Sequence, residues 1–242
     1  MTDFRAAGHL PKPRGDAGAD LFELPRQRRG TTPQLHGRYP DHDVLAEREH
    51  WDEPTRRVVL GRVEQVPAIR FFTSAEAATL TAFADVVLAQ STEPRIPVLP
   101  VVDDRLASGR GEGYRYADLP DDAETWRLVA RGLDEAAAAR CGTSFAEAPG
   151  EVREAVCADL ADGRPAGASW QRLDVGRAWK VVMRDLLTAF YAHPWAWNEI
   201  GFGGPAYPRG YARLGIGLSE PWEGEEALER DPVRDVERRA AG

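Results

Sequence analysis

Lysine is nearly missing from this chain of 242 residues: Lys12 and Lys180 are the only two, so arginine carries almost all the positive charge. That bias fits a GC-rich coding sequence, and arginine also suits ion-paired interfaces. There is no basic excess. The 31 basic and 39 acidic residues give a formal charge of -8. Nucleic-acid binding needs a basic patch to neutralise phosphates, and the short run at Arg26, Arg28 and Arg29 does not supply one. Cysteine is scarce as well. Cys141 and Cys157 are too few for a disulfide framework or a metal quartet, and they read as two small, partly buried thiols. No apolar run approaches the roughly 20 residues that a spanning helix requires, so no membrane span is expected. Residues 1–20 are polar and rich in Gly and Pro. They lack the apolar core of a secretory signal, and the expected location is the cytoplasm, with export only if a partner carries the chain out.

Several enzyme signatures are absent too. No Gly-rich dinucleotide fingerprint follows a strand-like run, and there is no phosphate-binding loop or nucleophile elbow. The glycine-rich stretch 201–205 ends in Pro205, which lacks the N–H donor a phosphate cradle would use. No segment alternates apolar and polar residues with β-branched enrichment, which removes the usual sign of a sheet.

What remains is helical. A hydrophobic fraction of 43% supports a packed core. Residues 1–38 read as an extended or disordered arm, because Gly, Pro and charge leave too little apolar surface to offset ordering entropy. Glu53-Pro54-Thr55 opens a short helix over 54–64, stopped before Pro67. Thr73 and Glu76 form a capping box, followed by Leu80, Phe83, Ala84, Val87 and Leu88 at helical spacing. Pro97 and Pro100 open a shorter helix to about Ser108. Asp121 caps a third long helix carrying Trp126, Val129 and Leu133, with Gly142 as its stop. Val152, Val156 and Leu160 mark another, ending near Gly163. The segment from Asp174 to Ala192 is the most apolar of the set and is expected to be central. The fold class is therefore all-α: an irregular bundle of about five to seven helices with long loops and an extended N-terminal arm. A helical domain over 39–222 is expected between that arm and a charged flexible tail, 223–242.

Three constellations have chemical potential. Asp41, His42, Asp43, His50, Asp52 and Glu53 are residue types that suit zinc or non-haem iron. Such charged runs are more often a solvated face. His193, before Pro194 at the end of the apolar helix, suits a cap on that helix's last carbonyls. It also suits a general base, for which Glu199 is the nearest carboxylate partner. The third constellation is the aromatic density at Tyr191, Trp195, Trp197, Phe202, Tyr207 and Tyr211, interleaved with Gly and Pro. It reads as a loop shaped by Gly and Pro whose large rings either pack on their own domain or anchor a partner.

Residues 193–211, HPWAWNEIGFGGPAYPRGY, resemble the C-terminal signature of the gluconate 2-dehydrogenase subunit 3 family. The helix start 71–76, FFTSAE, also looks like that family's, and 50–57, HWDEPTRR, is similar to an extension found in some members. The resemblance covers about 39–213. It implies a non-catalytic accessory subunit, with no catalytic, cofactor-binding or metal site and no cofactor on this chain. FAD would sit on a large subunit of the glucose-methanol-choline type that oxidises a sugar, polyol or related alcohol, and a cytochrome c subunit often takes the electrons. The small subunit would support folding, maturation or export of the large one. Family members often carry a twin-arginine signal, whereas Arg28-Arg29 here is not followed by an apolar run. Candidate partner-interface residues are Tyr39, His50, Trp51, Arg56, His193, Trp195, Trp197, Asn198, Glu199, Phe202, Tyr207, Arg209 and Tyr211. Two other readings stay open: a metal-dependent enzyme using His42, His50 or His193, and a helical interaction module of a different assembly.

Overall fold

The computed structural model describes residues 39, 42–90, 93–111, 113, 116–207, 210 and 220–224. Arg209 and Tyr211, the arm 1–38 and Asp41 lie outside them, as does most of the charged tail. The described residues form α-helices, two 3-10 segments and loops, with no strand among them. The all-α expectation holds.

Most helices begin where local chemistry supplies a cap. α1 (Glu53–Glu64) starts after Asp52, whose carboxylate accepts from the Thr55 N–H at 3.0 Å, with Pro54 in the first turn. α2 (Ser74–Val87) carries the full capping box, with Thr73 and Glu76 satisfying each other's backbone donors. α3 (Val98–Ala107) has no side-chain cap at Pro97. α4 (Asp122–Cys141) is capped by Asp121 and closed by Gly142 at φ 78°. α5 (Gly150–Ala161) and α6 (Val175–Tyr191) follow, and α7 (Pro194–Ile200) is a short helix set where a loop was expected. A 3-10 segment, Val44–His50, also lacks a sequence forecast. A second, Ser169–Arg172, is tied to α4 through Glu135, which accepts from the Ser169 N–H at 2.9 Å and its hydroxyl at 2.7 Å.

The described residues cluster into two compact units. One draws on Met1–Gln65, Glu93–Ile96 and Tyr191–Gly242; the other on Val66–Thr92 and Pro97–Phe190. The second unit holds α2 to α5 and all of α6 up to Phe190. Its core is built on Leu80, Phe83, Trp126, Leu128, Leu133, Phe145 and Leu186, all fully buried. α6 is amphipathic rather than apolar all round. It buries Ala178, Val181, Val182, Leu186 and Phe190 while Lys180, Leu187 and Thr188 face solvent.

Two buried aspartates organise this unit. Asp103 on α3 is wholly buried and accepts from the N–H groups of Arg70, Phe71 and Phe72 at 2.7, 3.0 and 2.9 Å. It thereby fixes the chain leading into α2. Asp185 on α6 accepts from the Trp126 indole at 3.0 Å, from Arg105 and from Arg184. Buried carboxylates are tolerated only when their oxygens are satisfied in this way. Of the two cysteines, Cys157 is buried and Cys141 is exposed, so the expectation of partial burial fails for the second.

Candidate functional site

The residues singled out by sequence fall in the first unit, on α1, on the 3-10 segment Val44–His50, and on α7 with its following loop. α7 exists because Pro194 pre-sets the first helical φ and His193 precedes it in extended backbone, at φ -88° and ψ 135°. The Nδ1 of His193 accepts the Trp195 N–H at 3.2 Å. His193 is therefore the N-cap of α7, not a cap on the last carbonyls of α6 as the sequence suggested. Those carbonyls find other donors. The Trp197 indole N–H reaches the Tyr191 carbonyl at 2.6 Å, and the Arg62 guanidinium reaches the Ala192 carbonyl at 2.8 Å.

This geometry bears on the general-base reading of His193. The ring is buried and packs edge-on to Trp195 at 4.7 Å. Burial pulls its pKa down to about 4, with a hydrogen bond to the Arg62 backbone opposing and the Arg62 charge adding to the fall. The ring is thus neutral at pH 7, and Nδ1 is committed to a backbone N–H.

α7 is buried on nearly every side. Pro194, Trp195, Ala196, Trp197, Asn198 and Glu199 are all buried. Asn198 Oδ1 accepts the Val44 N–H at 2.8 Å, and His42 Nε2 lies 3.1 Å from the Phe202 carbonyl. These two links tie the 3-10 segment to α7 and the loop after it. The loop depends on close backbone approaches that only glycine permits. Gly201 ends α7 at φ 67°, and a Cβ there would meet the Tyr39 ring at 2.7 Å. A Cβ on Gly203 would stand 2.2 Å from the Trp222 ring and 2.8 Å from its carbonyl oxygen.

The aromatic segment divides. Trp195 and Trp197 belong to this unit's own core, at 5% and 7% exposure, whereas Tyr191, Phe202 and Tyr207 are exposed at 45%, 43% and 66%. The expected loop is thus a buried helix followed by a glycine-shaped turn that presents rings outward. Of the remaining candidates, Trp51 is buried and His50 exposed. Arg56 donates to the carbonyls of Arg48 at 3.1 Å and Trp51 at 3.2 Å, closing the 3-10 segment onto α1. Glu199 and Glu47 are both wholly buried carboxylates.

The His/carboxylate run does not converge. Asp43 caps the 3-10 segment, Asp52 caps α1, and Glu53 lies within ion-pair reach of Arg56 and Arg57. Among the described residues no group of three or more His, Cys, Asp or Glu side chains is placed to hold a metal ion. The second unit has a cleft of about 320 Å³ lined by Pro67, Val101, Val102, Arg105, Asp185 and Thr188, among others. Its charged groups are already engaged, Arg105 with Asp122 and Asp185, and Arg110 with Asp104.

Arg62 went unnoticed in the sequence. It lies on the outer face of α1, with its guanidinium carbon 5.8 Å from the Trp197 ring centroid, while Trp197 meets Phe202 edge-on at 5.5 Å. Its only sequence signal is its position one turn after Val58, roughly 100° round the helix from the stripe of Val59 and Val63. No helix among the described residues is long and apolar enough to cross a membrane.

A family model described as gluconate 2-dehydrogenase subunit 3 matches residues 74–204, more than half of the chain. The match takes in α2 to α7 and stops at Gly204, so both 39–73 and the Gly/Pro/Tyr stretch from Pro205 onward fall outside it. No curated protein and no solved structure matches the chain.

Proposed function

The chain belongs to the gluconate 2-dehydrogenase subunit 3 family, and we propose that it is the non-catalytic accessory subunit of an FAD-dependent dehydrogenase that oxidises a sugar, polyol or related alcohol. The family is that of a subunit of a dehydrogenase complex. The finer reading is that the partner is a flavoprotein of the glucose-methanol-choline type, that FAD sits on it, and that this chain supports its folding, flavination or stability.

The observation that supports this most is the division of the aromatic segment. α7 locks its own rings into the core, and the turn after it holds Phe202 and Tyr207 outward on a scaffold that Gly201 and Gly203 fix in shape. Rigid, exposed aromatic side chains are costly to leave in water and are the residue types that dominate protein interfaces. Of the side chains offered by sequence for catalysis, His193 caps a helix and is neutral, His42 meets a backbone carbonyl and Asp52 caps α1, while His50 is exposed.

The test is to express the glucose-methanol-choline type flavoprotein of the same organism with and without this chain. One-to-one co-purification, with more soluble, flavin-loaded and active flavoprotein in its presence, supports the reading. A flavoprotein equally soluble, loaded and active alone refutes it.

A further inference from the structure

The outer face of α1 and the rings beside it form a surface with one unanswered charge. Val58 is 56% exposed and lies one turn before Arg62, where residues four apart are neighbours. Arg62 continues the surface to the Trp197 ring, and Trp197 to Phe202. Val59 and Val63, roughly 100° round the helix, are buried, whereas Val58 and Arg62 are left to solvent. Thr55, Gly61 and Gln65 share their face, and none is acidic.

Arg62 differs from its neighbours in how its charge is met. Arg56 and Arg57 both lie within reach of the Glu53 carboxylate. Arg62 holds the Ala192 carbonyl and lies over Trp197, and no carboxylate among the described residues is within ion-pair distance of it. Its planar fork still has donors to give, in a geometry that matches a carboxylate.

We propose that this face, Val58, Arg62 and Phe202 over the buried Trp197 ring, docks the catalytic subunit of the complex through a segment that sets an Asp or Glu carboxylate on Arg62 between apolar side chains. The proposal rests on the accessory-subunit reading. Charge complementarity selects this occupant. A second copy meeting it through this same face about a two-fold axis would bring no carboxylate to Arg62, because none of the face's described residues is acidic. A lipid surface is held by clusters of basic residues, and this face offers one.

The experiment measures binding of the full chain to that flavoprotein, using wild type, Arg62→Glu, Arg62→Lys and Val58→Asp. The Arg62→Glu change should weaken binding by at least ~30-fold and Val58→Asp by ~10-fold, as expected for central interface positions. Arg62→Lys keeps the charge but not the planar fork and should lose an intermediate amount, ~5-fold, and added salt should weaken wild type more than Arg62→Glu. Arg62 also caps the Ala192 carbonyl, so circular dichroism and urea midpoints accompany each variant. Val58→Asp carries the test alone if Arg62→Glu does not fold. Wild-type binding with Val58→Asp and Arg62→Glu within threefold of it overturns the proposal and leaves the accessory-subunit reading standing. No binding by wild type overturns both. A dimer of this chain that Val58→Asp dissociates overturns the choice of occupant.

Discussion

Acidification should unlock α7 through His193, and the size of the effect follows from its surroundings. The ring is buried and neutral, with its pKa brought from 6.5 to about 4. Such a group binds fewer protons in the folded chain than in the unfolded one. Its contribution to stability is therefore complete above pH 6.5 and is lost as the pH falls toward 4. At 1.36 kcal/mol per pKa unit the loss is on the order of 3 kcal/mol, a large share of the 5–15 kcal/mol that typically holds a domain folded. Protonation would also turn Nδ1 from acceptor to donor and break its 3.2 Å bond with the Trp195 N–H. Urea unfolding at several pH values between 7.5 and 4.5 reads this directly. His193→Asn keeps a good N-cap without titrating, so carboxylates elsewhere titrate alike in both proteins and cancel. The wild-type midpoint should fall with pH more steeply than the variant's, by about 2 kcal/mol or ~1 M urea at pH 4.5. Parallel curves, or a His193 proton resonance titrating near 6.5, would refute the buried neutral cap.

Two further outcomes follow. Asp103→Ala removes the acceptor for three backbone N–H groups at Arg70, Phe71 and Phe72 and should destabilise by about 3 kcal/mol in urea, with Asp103→Asn losing roughly half as much. Burial raises the Cys157 thiol to about 12 and Cys141 is exposed, so a disulfide reagent at pH 8 should label Cys141 fast and Cys157 only after unfolding; two fast equivalents would contradict this.

What the sequence disclosed depended on whether the deciding contact was local. α1, α2 and α4 begin at Asp52, Thr73 and Asp121, each bonding an N–H three residues on, and these starts are legible in a short window. α7 escaped because it is buried on nearly every side: seven residues with no polar face carry no 3.6-residue stripe, and histidine is an uncommon cap. The 3-10 segment Val44–His50 lacks that period altogether. His193 was recognised as a capping residue but assigned to the wrong helix, since the competing donors for those carbonyls, Trp197 and Arg62, could not be foreseen. Arg62 stands 130 residues from its acceptor. The family signature, being contiguous, was readable, whereas the sorting of its rings into buried Trp195 and Trp197 and exposed Phe202 and Tyr207 needed the fold.

The accessory-subunit account stands most directly on one measurement: the flavin content and activity of the proposed flavoprotein partner, purified after expression with this chain and without it. The account predicts a one-to-one complex and a clear rise in soluble, FAD-loaded, active enzyme when both are present. Equal yield, loading and activity in its absence, with no complex formed, would contradict it.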